Sequence, residues 1–240
     1  MVPWDRSKGS PEPIRALNLV PEVDNGEPLV DVQDYAPRLV IPRPHVIPYV
    51  RETVARMVHE ASLRISNEFR LGLVEGWRPI ERQQRIYDWL WDCAQEAFPE
   101  RNHSALRRTV CRWVAPTDQK APPGHCTGAA VDVWLIDAEG NEVDVWSPYP
   151  RLRAARTHTL GIAEPHASYR TMLYDAMVSV GFSNCRDEWW HYSYGDAGWA
   201  VRIGAPECFY GKVNLDPSLY AGLEELAKEA MKTRTNPFLS

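Results

Sequence analysis

The sequence predicts a single α+β domain, a central mainly antiparallel sheet flanked by helices. Helical periodicity recurs in several separated segments. Short runs of β-branched and aromatic residues stand between them and end at turn-type residues. The two kinds of element are mixed without the regular strand–helix alternation of a parallel sheet. No repeat or low-complexity block divides the 240 residues, which are enough to bury one sizeable core without disulfides. The expected organisation is a proline-rich N-terminal arm, residues 1–48, packed on one domain spanning residues 49–240.

In chain order, the arm shows little periodicity and one short strand signal at Leu29–Val32. Val50, Val54, Met57, Val58, Ala61 and Ile65 then mark one face of an amphipathic helix. Phe69, Leu71 and Leu73 alternate with Arg70, Gly72 and Val74, a strand running into EGWRP. Pro79 suits the first turn of a second helix, with Ile86, Leu90, Cys93, Ala94 and Ala97 on its apolar face. Residues 99–124 read as loop, ending in APPG. AAVDVWLID is a strand, and DAEGNE turns it back into VDVW. Leu173, Ala176, Met177 and Val180 predict a third helix stopped by Gly181. DEWWHYSY reads as a further strand. Asp216 and Pro217 open a last helix, with Leu219, Leu223, Leu226, Ala227 and Ala230 on its apolar face.

Composition narrows the function. A net charge of −5 offers no basic field for nucleic acid, and no Lys/Arg run suggests a membrane surface. No stretch approaches the ~18 apolar residues of a membrane span. The five cysteines are an odd set without a C-x-x-C pair, which reads as reduced thiols. The first residues contain no apolar h-region, so a cytoplasmic location is expected.

Three polar clusters stand on or beside the predicted strands: EGWRP, GHCTGAAVD and DEWWH. Asp132, between Val131 and Val133, is costly to bury unless paired or bound to a metal, although an edge strand facing water would also accommodate it. His125 alone reads equally as a loop histidine. Taken together, His125, Asp132 and His191 are donors suited to a catalytic Zn²⁺ with three protein ligands. Cys126 adjoins His125 but points elsewhere on extended backbone, so it reads as a packing residue. Glu188 and His191 raise a geometric difficulty, because residues three apart on a regular strand face opposite sides. Both reach one site only if the backbone departs from a strand there. Trp189 and Trp190 are either simple core or walls of a water-excluded site.

The ordered combination of G-W-R-P, H-x6-D and E-W-W-H between about Leu73 and Tyr192 resembles the zinc D-alanyl-D-alanine dipeptidases of the vancomycin-resistance type. That group is related to D,D-carboxypeptidases and the hedgehog zinc domain. The resemblance implies one Zn²⁺ per chain on His125, Asp132 and His191, Glu188 as general base, and Arg78 facing the developing oxyanion. It also implies a pocket lined by Trp77, Trp189, Trp190 and Gly124, and a small peptide substrate containing D-amino acids. Three departures stand out. Gly124 precedes His125 where the family has a serine, the acid that grips the substrate's ammonium group has only Asp144 or Glu142 as candidates, and the family's N-terminal strand motif is missing from residues 29–49. The expected function is hydrolysis of D-Ala-D-Ala or a similar cell-wall peptide. The alternatives are a D,D- or L,D-carboxypeptidase acting on longer muropeptides, and an inactive zinc-binding interaction module, which has no need of both Glu188 and Arg78. A structural domain without metal is a further alternative.

Overall fold

A computed structural model of the chain describes residues 12–150 and 152–239. Residues 1–11, the start of the predicted arm, lie outside the described residues. The arm contributes α1 (Ile14–Leu17) and β1 (Leu29–Asp31), which pairs antiparallel with β2 (Tyr49–Arg51). The predicted strand ends one residue early because the Asp31 carboxylate accepts from Gln33 N–H and caps a 3₁₀ turn at Val32–Asp34. Arm residues Val32, Ala36, Leu39 and Val46 are buried in the main core.

The periodic segment after the arm forms α2 (Glu52–Ser62), which buries Val54, Ala55, Val58 and Ala61. Val50 and Ile65 share its core but lie on β2 and beyond the helix. β3 (Arg70–Glu75) follows, with Leu71 to Val74 all buried. Its alternation marks no solvent face, since Leu71, Leu73 and Val74 all join the main core, while Val40 of the arm bridges to its edge at Gly72. α3 (Ile80–Ala97) begins directly after Pro79.

The stretch read as loop after α3 contains α4 (His103–Val110), capped by the Asn102 side chain, which accepts from Ala105 N–H at 3.0 Å. Leu106 and Val110 pack with Leu90 and Ala94 of α3 in a satellite core. Two apolar residues one turn apart are too sparse a pattern to predict a helix, but packing against α3 supplies the rest of the burial.

β4 (Ala130–Ile136) is the centre of the molecule. It pairs antiparallel with β3 on one side and β6 (His191–Ser193) on the other, and β5 (Ser183–Asn184) pairs with β6, giving a four-stranded sheet ordered β3-β4-β6-β5. The expected return strand at VDVW is reduced to a bridge between Ile136 and Glu142 and one hydrogen bond from Val143 N–H to Leu135 O. Asp144 ends it by accepting from the Trp146 and Ser147 amides. α5 (His166–Ser179) matches the third predicted helix, and Gly181 follows it at φ +110°.

DEWWHYSY is a strand only from His191 onward. Residues 185–190 form the loop of the β5–β6 hairpin, and Asn184 gathers it by donating to the carbonyls of Glu188 at 3.2 Å and His191 at 3.0 Å. Buried Arg170 on α5 holds the neighbouring loop through the carbonyls of Val145, Ala154 and Arg156.

After α6 (Ala197–Ile203), Asp216 caps a 3₁₀ turn at Pro217–Leu219, and α7 (Ala221–Lys232) begins later than expected. Leu219 and Leu226 are 48% and 45% exposed. The face of α7 that is buried carries Ala227 and Glu224, because Glu224 pairs with Arg82 and Arg85 on α3. Among the described residues no helix is long and apolar enough to cross a membrane.

Candidate metal and active site

The sheet register sets three ionisable side chains in a row. Glu75 on β3 stands opposite Asp132 on β4, and Asp132 stands opposite His191 on β6. A register shift between Leu73 and Glu75 turns Glu75 into that row. Asp132 Oδ1 lies 3.0 Å from His191 Nδ1 and 3.3 Å from His125 Nε2.

His125 reaches the row from a 3₁₀ turn at Gly124–Thr127. Its Nδ1 lies 2.9 Å from the Gly76 carbonyl, which can only accept, so Nδ1 carries the proton and the Nε2 lone pair is left beside Asp132 as a metal-ligand atom. Arg78 N–H donates back to the His125 carbonyl at 3.1 Å. Gly76 has to be glycine here, since a Cβ would lie 2.6 Å from the Ile47 carbonyl.

His125, Asp132 and His191 each offer one ligand atom, all within 4.8 Å of one another. Two imidazoles and one carboxylate are a donor set that suits a tetrahedral Zn²⁺ with one open position. Burial pushes the Cys126 thiol up to about 12, so it stays protonated and is a poor ligand.

Electrostatics divide the carboxylates. Burial would raise Asp132, but His125 and His191 outweigh it and hold the carboxyl well below its usual range. Glu75 is likewise lowered, because Arg78 and Arg82 overcome its burial. Glu188 is different: burial lifts it to about 8, with Asp132 adding to the rise and His191 and Arg78 opposing it.

The hairpin loop removes the strand difficulty. His191 N–H donates to Glu188 O at 3.3 Å, so the two residues close a turn and both line the cleft with His125, Asp132 and Arg78. The cleft has a volume of about 980 Å³. Arg78 is fixed at both ends: Nη1 donates to Gln83 Oε1 at 2.7 Å and Nη2 lies 3.2 Å from Glu75 Oε2. Its buried Nε has no hydrogen-bond partner among the described residues.

The two tryptophans part company. Trp190 lines the cleft, whereas Trp189 is 1% exposed and packs edge-on against Trp134 with centroids 4.5 Å apart. Trp77 is also behind the wall, donating to Val213 O at 3.1 Å. Gly124 lines the cleft beside Asp196, whose Oδ2 would lie 2.5 Å from a Cβ at position 124. Neither candidate for the ammonium-gripping acid lines the cavity: Asp144 is engaged by Trp146 and Ser147, and Glu142 by Arg43 at 2.7 Å.

Sequence reasoning missed Glu75, Gln83 and Asn184. Glu75 had a signal, a carboxylate ending an apolar strand three residues before an arginine. Gln83 and Asn184 had none.

A family profile described as D-Ala-D-Ala dipeptidase (peptidase M15) matches residues 50–207. The D-alanyl-D-alanine dipeptidase of Synechocystis sp. is 27% identical over 241 residues, covering 84% of this chain and 98% of that one. Among solved structures, a variant of the vancomycin-resistance D,D-pentapeptidase VanY with Zn(II) is 15% identical with a TM-score of 0.43, covering 88% of this chain and 98% of that one. The vancomycin-resistance D,D-dipeptidase VanXYg, bound to a D-Ala-D-Ala phosphinate analogue, is 20% identical with a TM-score of 0.38, covering 88% of this chain and 70% of that one. The family match spans the cleft residues from Arg78 to Arg202, and the chain is therefore a member of the D-Ala-D-Ala dipeptidase family of peptidases.

Proposed function

We propose that this peptidase is a zinc enzyme that hydrolyses D-Ala-D-Ala or a similar short cell-wall peptide containing D-amino acids, with His125, Asp132 and His191 holding the ion. The observation that carries this reading is the convergence of those three donors with Glu188 and Arg78 on one cleft. When bound, zinc supplies Lewis acidity, polarising a peptide carbonyl and acidifying a water. Glu188 takes the attacking water's proton and passes it to the leaving amine. Burial makes this carboxylate a stronger base than an exposed one, which favours taking the proton. Arg78, clamped by Gln83 and Glu75, presents a charged donor where negative charge develops on the carbonyl oxygen. Trp190 excludes water on the same wall. The five cysteines are all free, which accords with a cytoplasm-like, reducing compartment.

A second reading, a D,D- or L,D-carboxypeptidase on longer muropeptides, is favoured by the cleft, whose volume of about 980 Å³ exceeds the needs of a dipeptide. Release of free D-alanine from a panel of D,D- and L,D-dipeptides and tripeptides, with and without added zinc, separates the two. Absence of turnover on every member would overturn both.

A further inference from the structure

The arginines on the cleft wall fall into two groups. Arg43 pairs with Glu142 at 2.7 Å, Arg78 with Glu75 at 3.2 Å, Arg186 with Asp187 at 2.8 Å and Arg202 with Glu12 at 2.7 Å. Arg112 and Arg234 also line the cleft, but neither has a carboxylate within ion-pair distance among the described residues. Arg112 lies over Trp113 at 5.9 Å. Arg234 lies over Trp89 at 5.7 Å, and its charged neighbours include Glu75 and Arg78, which stand at the metal-ligand cluster.

Arg234 keeps an open solvent face on the cleft. With no carboxylate at ion-pair distance among the described residues, its guanidinium donors are open to an anion that enters the cleft. The segment carrying it is fixed in place. Asn236 Nδ2 donates to Cys93 O and Glu96 Oε2, both at 2.9 Å, and the Phe238 ring packs on Phe98 at 5.8 Å. α7, just before it, is tied to α3 through Glu224.

We propose that Arg234 binds the free C-terminal carboxylate of the peptide substrate, so that the C-terminal segment supplies a specificity-determining residue. The inference rests on the peptidase reading above. It holds for the dipeptidase and the D,D-carboxypeptidase alike, since both release a C-terminal D-alanine. That carboxylate is the one anion every such substrate carries, and a guanidinium meets it with two parallel N–H donors.

The test uses the full-length, zinc-loaded protein with D-Ala-D-Ala, D-Ala-D-Ala-D-Ala and their C-terminal amides. It compares the wild type with Arg234→Gln, Arg234→Lys and, as an exposed control outside the cleft, Arg108→Gln. The wild type should prefer the free acids. Arg234→Gln should raise KM for the acids about 10- to 100-fold, the range of a lost charged hydrogen bond. Its kcat should change little and the amides should be affected far less. Lys should restore part of the loss, and Arg108→Gln should match the wild type. Equal losses on acid and amide, an unchanged KM, or a wild type indifferent to amidation overturns the inference while leaving the peptidase reading intact. A wild type that cleaves none of the peptides overturns that reading, and the inference falls with it.

Discussion

Replacing Arg78 by alanine tests the proposed oxyanion role and divides rate from stability. The guanidinium is clamped by Gln83 Oε1 at 2.7 Å and Glu75 Oε2 at 3.2 Å, with a buried Nε unpartnered among the described residues. Removing one positioned oxyanion donor costs about 2.7–4 kcal/mol in the transition state, a fall of about 10²–10³ in kcat. The stability effect is separate. Without Arg78, Glu75 keeps Arg82 at 3.4 Å as its counter-ion among the described residues, and Gln83 Oε1 loses its donor. Leaving such buried groups short of a partner costs about 1–3 kcal/mol. Arg78→Lys should recover much of that stability, because an ammonium still faces Glu75, but little of the rate. One ammonium cannot bond Glu75 and Gln83 and also offer a rigid third donor. Coupled detection of released D-alanine gives kcat and KM, and urea denaturation of the same samples gives the stability. A kcat within tenfold of wild type, or a loss confined to KM, would refute the reasoning and leave Arg78 a substrate-binding or structural group.

Metal analysis of chelator-free protein should find one zinc per chain; His125→Ala and His191→Ala should lose it, while Glu188→Gln should keep it and lose about 10²- to 10⁴-fold in kcat. An active Glu188→Gln variant would remove Glu188 from its role. Trp189→Ala should destabilise the fold by about 3–5 kcal/mol in denaturant titrations, as for other buried tryptophans. Trp190→Ala, on the cleft wall, should shift KM more than Trp189→Ala does at temperatures where both remain folded. Gly124→Ala should lower kcat/KM, because its Cβ would push the Asp196 carboxylate from the wall; full activity would show that the contact is relieved without consequence. N-acetylation of D-Ala-D-Ala should be tolerated, since Asp144 and Glu142 are engaged away from the cleft. A preference for the free dipeptide above about a hundredfold, the discrimination a polar site built for its ligand readily exceeds, would mean that another acid holds the ammonium group.

What the sequence determined by itself is local. The spacing of Val54, Val58 and Ala61 is enough for α2, and the apolar run through Asp132 is enough for β4, because period and propensity act over a few residues. The spaced motifs also named His125, Asp132, His191, Glu188 and Arg78, which all line one cleft. The tertiary structure alone decided how they meet. Glu75, Asp132 and His191 form a row only because β4 lies between β3 and β6 in one register. Glu188 turns toward His191 only because Asn184 holds residues 185–190 out of the strand. Trp189 goes to the core and Trp190 to the cleft, although they are neighbours of one type, because that same loop faces Trp134 on one side and the cavity on the other. α7 turns Glu224 inward against its own apolar pattern because two arginines of α3 wait there. These outcomes depend on partners up to 142 positions away, as for Arg82 and Glu224, and no local pattern encodes the identity of a distant partner.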